Sequence, residues 1–129
     1  MRVAFVRHPE MGGDIDAQVK KSARSLREAG FQTGVTIYYS PSVRTMIVAG
    51  MIAKENGYPD PIASPAIGLD DGEKSGAALK ILCGEKGISE ALNHKTGGVL
   101  VLVTHEPVIK AVTGERSVDY SQVIVRDLP

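Results

Sequence analysis

The sequence of 129 residues has little cysteine and no excess of either charge. Its one cysteine, Cys83, excludes an internal disulfide, and the apolar neighbours Ile81 and Leu82 indicate a small core residue. Fifteen basic residues balance fifteen acidic ones, so the composition favours neither nucleic acid nor an anionic membrane as a partner. No apolar run approaches the roughly 20 residues of a membrane-spanning helix, and the run after Arg2 is too short for a signal peptide. We therefore expect a cytoplasmic protein.

An alternation of strand-like and helix-like segments predicts an α/β fold. Runs of apolar and β-branched residues typical of strands lie at 3–6, 35–39, 99–103 and 123–125. Segments typical of helices lie at about 14–29, 42–55, 73–92 (interrupted near Gly84 and Gly87) and 108–112. Residues 58–72 are rich in proline and glycine, which indicates an irregular crossing with room for one short edge strand. The pattern predicts one domain, residues 1–129, with a mainly parallel sheet between helices on both faces.

The first two predicted helices differ in their apolar pattern. The first has a single buried face, formed by Val19, Ala23 and Leu26, and its lysines and arginines face water. The second is apolar nearly all round, with Val43, Ile47, Val48, Met51 and Ile52. We therefore expect the second helix to be well buried.

Basic and polar side chains follow three of the predicted strands. Arg7-His8 follows the first strand, Ser40 to Thr45 follow the second, and Thr104-His105 follow the strand that begins at Val99. In parallel α/β sheets ligands bind beyond the carboxyl ends of the strands, so these residues are expected to form one site. The helices that begin after Pro41 and Glu106 add backbone N–H groups, which favour an anion there.

These residue types suit a bound phosphate. Each arginine offers a fixed fork of donors that matches phosphate oxygens and does not lose its charge. Two arginines would also repel an imidazolium, which lowers the pKa of His8 and keeps it neutral and nucleophilic. His105 can donate a hydrogen bond to the phosphoryl oxygens and stabilise the transition state.

Three motifs together resemble those of the histidine phosphatase superfamily, which includes cofactor-dependent phosphoglycerate mutases and small phosphohistidine phosphatases. They are Val6-Arg7-His8-Pro9-Glu10, Ser40-Pro41-Ser42-Val43-Arg44-Thr45 and Val103-Thr104-His105. Pro9 departs from the glycine usual in the first motif, whereas the serine-proline-x-x-arginine motif is matched in full. The resemblance implies a phosphoglycerate mutase-like three-layer α/β/α fold, in a minimal version without capping insertions. It also implies that His8 is the nucleophile, that Arg7 and Arg44 clamp the phosphoryl group, and that His105 contacts the same oxygens.

The general acid that the resemblance implies has two candidates. Leu69 lies where mutase-like members have a glutamate, and a slip of one residue would supply Asp70 instead. Glu106 resembles the acid that follows the second histidine in the phytase-like branch. Each also has a structural interpretation, because Asp70-Asp71 can cap the next helix and Glu106 can complement the dipole of its own helix.

The uncertain acid and the short chain favour the small phosphohistidine phosphatase type. Protonation of a leaving group contributes ~10²–10⁴ in rate, and an alkyl phosphate needs it more than a phosphohistidine does. We therefore expect a phosphatase that acts on a phosphorylated protein or a small phosphorylated metabolite. A phosphoglycerate mutase-like transferase and a non-catalytic phosphate-binding module are the alternatives.

No metal or other cofactor is expected. No cluster has metal-ligand spacing, and histidine-based phosphoryl transfer needs no metal. Gly12-Gly13 lacks the lysine and hydroxyl of a P-loop. His94 lies near a helix end, where a cation complements the helix dipole, and we assign it no catalytic role.

Overall fold

A computed structural model describes residues 1–68, 79–80 and 84–129. The strands are β1 (Arg2–Arg7), β2 (Val35–Tyr39), β3 (Ile62–Ala63), β4 (Val99–Thr104) and β5 (Val123–Asp127). The helices are α1 (Ile15–Glu28), α2 (Val43–Asn56), α3 (Ile88–Ala91) and α4 (Glu106–Thr113), with a 3₁₀ turn at Pro65–Ile67. In this part of the chain no helix has both the length and the apolar character needed to cross a bilayer.

The five strands form one sheet in the order β3-β2-β4-β1-β5. β3, β2, β4 and β1 run parallel, and β5 returns antiparallel beside β1. The register pairs Arg7 with Thr104 and Tyr39 with Val103. The residues that follow β1, β2 and β4 therefore leave the sheet at the same edge, as the sequence pattern predicted.

Alternate strand residues face two separate apolar layers, as the period of a strand requires. Val3 and Phe5 of β1 pack with Ile88 of α3 and with Val108 and Ile109 of α4. On the opposite face lie Ala4 and Val6, together with Val19 and Leu26 of α1 and Val48 and Ile52 of α2. The predicted three-layer α/β/α architecture is therefore confirmed.

Local sequence signals fix where the helices begin and end. The side chain of Asp14 accepts a hydrogen bond from the Ala17 N–H at 3.0 Å, which caps α1. Ser42 caps α2 in the same way through the Thr45 N–H, and Gly57 ends that helix with a φ of 69°. Gly87, with a φ of 86°, separates α3 from the helical residues 84–86, so the predicted interruption is confirmed there. Cys83 and the predicted helical stretches 73–78 and 81–83 lie outside the described residues.

The prediction that α2 is well buried all round is wrong. Its sheet-facing side, with Thr45, Val48 and Ile52, is buried. Val43 is 68% exposed, and Met46 and Ile47 are each 47% exposed. The reason is that the sheet covers only one side of the helix. The neighbouring helix α1 covers a second side. Apolar composition alone does not show whether a neighbour covers the remaining side.

Candidate active site

Two histidines and a serine meet where β1, β4 and β2 end. The rings of His8 and His105 lie with their centroids 5.3 Å apart, and both side chains are buried. The backbone continues the sheet pairing past the strands, since the N–H of His8 donates to the Thr104 carbonyl at 3.3 Å. The N–H of Ser40 likewise donates to the Val103 carbonyl at 3.0 Å. The sheet register therefore brings together residues that are up to 97 positions apart in the chain.

His8 is held in one neutral form. Its Nδ1 lies 2.9 Å from the Pro9 carbonyl oxygen. A carbonyl only accepts hydrogen bonds, so Nδ1 carries the proton and the lone pair of the neutral ring is on Nε2. Nε2 has no hydrogen-bond partner among the described residues and is not one of their fully buried polar atoms. The nitrogen with the lone pair is therefore open to a ligand.

The pKa of His8 lies below its usual value, as the sequence predicted, but the main cause is different. Burial of the ring lowers the pKa most, and the charges of Arg44 and Arg7 lower it further. The hydrogen bond to the Pro9 carbonyl raises the pKa and partly offsets these effects. Sequence reasoning assigned the shift to the arginines, because burial depends on packing that the motif does not contain.

His105 is also neutral near pH 7. Burial, followed by the nearby His8, Arg44 and Arg7, lowers its pKa to about 4. Its Nε2 lies 3.0 Å from the hydroxyl oxygen of Ser40. Its Nδ1 is buried and has no partner among the described residues. A buried polar atom without a protein partner is rare in folded proteins, and Nδ1 can form a hydrogen bond to a ligand or to water.

Arg7 is fixed by three contacts. Its Nη1 donates to the Val118 carbonyl at 2.5 Å and to Glu106 Oε2 at 3.4 Å. The ring of Tyr120 stacks on the guanidinium, with 3.9 Å between the guanidinium carbon and the ring centroid. The Nε of Arg7 is buried and has no partner among the described residues. The contacts at Nη1 thus orient the group, and Nε remains available for an anion.

Tyr120 is a site residue that sequence reasoning missed. Tyr120 is 43% exposed, and its ring centroid lies 5.8 Å from that of His8. The next residue, Ser121, has a φ of 65°, and its N–H donates to the Arg7 carbonyl at 3.1 Å. The hydroxyl of Ser22 on α1 donates to the Ser121 carbonyl at 2.7 Å. The loop before β5 is therefore attached to β1 and α1, and no sequence motif indicated this.

Arg44 has a different setting from Arg7. It lies in the first turn of α2, its side chain is exposed, and it makes no hydrogen bond or ion pair with the described residues. Its positive charge still lowers the pKa of both His8 and His105. The charge of Arg44 therefore acts on both rings, although no hydrogen bond or ion pair in the described part of the chain holds the guanidinium.

Of the two acid candidates, Glu106 lies beside the site. Its Oε2 accepts hydrogen bonds from the Val118 N–H at 2.8 Å and from Arg7 Nη1. The carboxylate therefore connects α4, the end of β1 and the loop before β5, in addition to its position in the first turn of α4. Asp70 and the neighbouring Leu69 and Asp71 lie outside the described residues.

His94 is buried and lies shortly after the end of α3, as expected. The hydroxyl of Tyr38 lies 2.8 Å from its Nδ1, so the side chain takes part in a polar contact separate from the two site histidines. Within residues 1–68, 79–80 and 84–129, no three His, Cys, Asp or Glu side chains are placed to hold a metal ion. The absence of a cofactor remains a prediction.

No family model and no curated protein matches the sequence. Solved structures do match the fold. A mycobacterial glucosyl-3-phosphoglycerate phosphatase in complex with VO3 aligns with a TM-score of 0.64 and 11% identity, over 96% of this chain and 91% of that one. Phosphoglycerate mutase from Plasmodium falciparum aligns with a TM-score of 0.60 and 18% identity, over 98% of this chain and 88% of that one. A phosphoserine phosphatase variant from Entamoeba histolytica, in complex with phosphoserine, aligns with a TM-score of 0.57 and 13% identity, over 96% of this chain and 89% of that one.

Two phosphatases and a phosphoglycerate mutase thus share this fold, so the phosphoglycerate mutase-like fold implied by the three motifs is confirmed. At this level of identity the likeness concerns the fold. The small phosphohistidine phosphatase branch and the roles of the individual residues remain predictions.

Proposed function

We propose that this chain is a phosphatase that forms a phosphohistidine intermediate on His8. The observation that carries the proposal is the hydrogen bond from His8 Nδ1 to the Pro9 carbonyl at 2.9 Å. It leaves the lone pair of a neutral ring on Nε2, which is the form that attacks phosphorus. The lowered pKa of His8, caused mainly by burial, keeps this form populated at pH 7.

The groups around His8 match the charge of a phosphoryl group. Arg7 Nε and His105 Nδ1 are buried without partners among the described residues, and the positive charge of Arg44 acts on the rings of His8 and His105. In the reaction these groups would stabilise the negative charge on the phosphoryl oxygens, as fixed donors do in other phosphoryl-transfer sites.

The proposed reaction has two steps. His8 Nε2 forms a bond to phosphorus while the bond from phosphorus to the leaving group breaks. Water then attacks the phosphohistidine, the P–N bond breaks, and His8 is regenerated together with inorganic phosphate. The leaving group takes up one proton in the first step, and the attacking water gives up one in the second.

The contacts of Glu106 favour a leaving group that needs little help from an acid. Its Oε2 accepts hydrogen bonds from Arg7 and from the Val118 N–H, so the protein already holds one oxygen of this carboxyl group. We therefore propose a phosphohistidine on a protein as the preferred substrate class, with small phosphomonoesters as poorer substrates. Imidazole leaves more readily than an alkoxide, so its release depends less on a proton donor.

The experiment is phosphate release from an aryl phosphate near pH 6, with wild type and His8→Ala compared side by side. An aryl leaving group needs little protonation, so the assay does not depend on the identity of the acid. We expect turnover in the wild type and none in His8→Ala. His94→Gln is the matched control, because it replaces a second buried histidine that does not touch the site. It should keep wild-type turnover.

Two results would count against the proposal. Binding of phosphate without turnover of the aryl phosphate or of a phosphohistidine peptide, in wild type and His8→Ala alike, would indicate a phosphate-binding module. Transfer of the phosphoryl group to an added alcohol in preference to water would indicate a mutase-like transferase.

A further inference from the structure

Ser40 is buried next to His105, and all its polar groups are accounted for. Its N–H donates to the Val103 carbonyl at 3.0 Å, and its carbonyl accepts a hydrogen bond from the Thr45 hydroxyl. Its own hydroxyl has one partner among the described residues, His105 Nε2 at 3.0 Å. The backbone is therefore held on both sides, and the hydroxyl is directed at one ring nitrogen of His105.

The contact allows two arrangements of the protons. Either the Ser40 hydroxyl donates to Nε2 and the ring proton is on Nδ1, or Nε2–H donates to the hydroxyl oxygen and Nδ1 has the lone pair. In the second arrangement the hydroxyl proton and the buried Nδ1 both lack a partner in the described part of the chain. In the first arrangement only the Nδ1–H lacks a partner among the described residues. That group can donate a hydrogen bond to a phosphoryl oxygen. Polar satisfaction therefore favours the first arrangement.

We propose that Ser40 is a positioning residue that places the ring proton of His105 on Nδ1, so that a neutral imidazole donates a hydrogen bond to the bound phosphoryl group. This inference rests on the phosphate site of the proposed function, but not on its turnover. The contrast with His8 is direct, because a carbonyl fixes the tautomer of His8 and a hydroxyl fixes that of His105. One neutral ring then attacks with a lone pair, and the other donates.

The experiment is a long-range ¹H–¹⁵N spectrum of the histidine rings in the labelled full chain at pH 7, with and without inorganic vanadate. Nitrogen shifts distinguish Nδ1–H from Nε2–H for each ring, and a His105→Gln spectrum assigns His105. We expect Nδ1–H for His105 in the wild type, and a shift of the population toward Nε2–H in Ser40→Ala. Ser40→Thr keeps a hydroxyl and should retain the wild-type tautomer.

Ser22→Ala is the matched control. Ser22 is as buried as Ser40, and among the described residues its hydroxyl makes one hydrogen bond, to the Ser121 carbonyl. Its loss should leave the His105 tautomer unchanged. If Ser40→Ala does not fold, Ser40→Cys, which keeps a weak donor, should give a mixed population.

A proton on Nε2 of His105 in the wild-type vanadate complex would overturn the inference. The same tautomer in wild type and Ser40→Ala would overturn it as well. Because the spectrum needs no turnover, an inactive chain with Nδ1–H in the vanadate complex would defeat the proposed function and support the role of Ser40. In an active chain we expect kcat for the aryl phosphate to fall about tenfold in Ser40→Ala, the loss typical of one neutral hydrogen bond.

Discussion

The two arginines of the candidate site are held in very different ways. Arg7 is bound to the Val118 carbonyl, to Glu106 and to the ring of Tyr120, and its side chain is 18% exposed. Arg44 lies exposed in the first turn of α2 and has no hydrogen-bond or ion-pair partner in the described residues. One side of the site is therefore ordered by the protein itself, and the arginine on the other side is held by none of the described residues.

This difference has an energetic consequence. A group that is already oriented gives its full electrostatic effect to the transition state, because no reorganisation is needed. A long flexible side chain that is immobilised on binding costs roughly 0.5–1.5 kcal/mol. We therefore expect Arg7 to contribute both to the reaction and to stability, whereas Arg44 contributes to binding of the phosphoryl group and not to stability.

Replacement of Arg7 should have the largest effect. Arg7→Ala removes the phosphoryl contact and leaves the Val118 carbonyl and the Glu106 carboxylate without this donor. We expect kcat/KM for the aryl phosphate to fall about 10³-fold and the free energy of unfolding to fall by about 2 kcal/mol. Urea denaturation measures the second effect. Arg24→Ala, at an exposed position on α1, is the control. If Arg7→Ala were as stable as this control, the contrast between Arg7 and Arg44 would not hold.

Arg44→Ala should separate affinity from stability. Without Arg44 the phosphoryl group loses one guanidinium, and we expect vanadate to bind about 100-fold more weakly. The free energy of unfolding should stay within about 0.5 kcal/mol of the wild type, because the side chain is exposed and unpartnered among the described residues. Titration calorimetry and urea denaturation give the two quantities. Unchanged vanadate affinity would show that Arg44 is not part of the phosphate site.

The same contrast explains which parts of the site the sequence predicted. His8, Ser40 and His105 each follow an apolar strand directly, and parallel pairing brings strand ends to one edge. Their proximity follows from local pattern and a general rule of sheets. The contacts of Arg7 with Val118, and of Tyr120 with Arg7, depend instead on how the chain returns before β5. Residues 114–122 have no periodicity that would indicate such contacts, so the sequence did not predict them.

Protonation of the histidines offers a test of their burial. The pKa of His105 is lowered from 6.5 to about 4, mainly by burial, so between these values the unfolded chain binds a proton that the folded chain does not. The free energy of unfolding should therefore fall as the pH falls from about 6.5 to about 4, by on the order of 2 kcal/mol from this residue. His105→Gln should lose that part of the pH dependence. The wild type and His105→Gln have the same carboxylates, so the difference between them reports on His105. If the free energy of unfolding, measured by urea denaturation, changed with pH equally in both proteins, burial of a neutral His105 would be contradicted.

The smallest effect is expected on the outer side of α2, where the sequence misled. Ile47 is 47% exposed and Ile52 on the same helix is fully buried, although both were expected in the core. Ile52→Ala should cost about 3 kcal/mol, since it leaves a cavity against the sheet, whereas Ile47→Ala should cost less than about 0.5 kcal/mol. Urea denaturation of the two variants gives a direct comparison at matched chemistry. If both variants lost the same free energy of unfolding, another part of the chain or a second molecule would have to cover Ile47 in solution. An isoleucine exposed to water does not contribute as much to stability as a buried one.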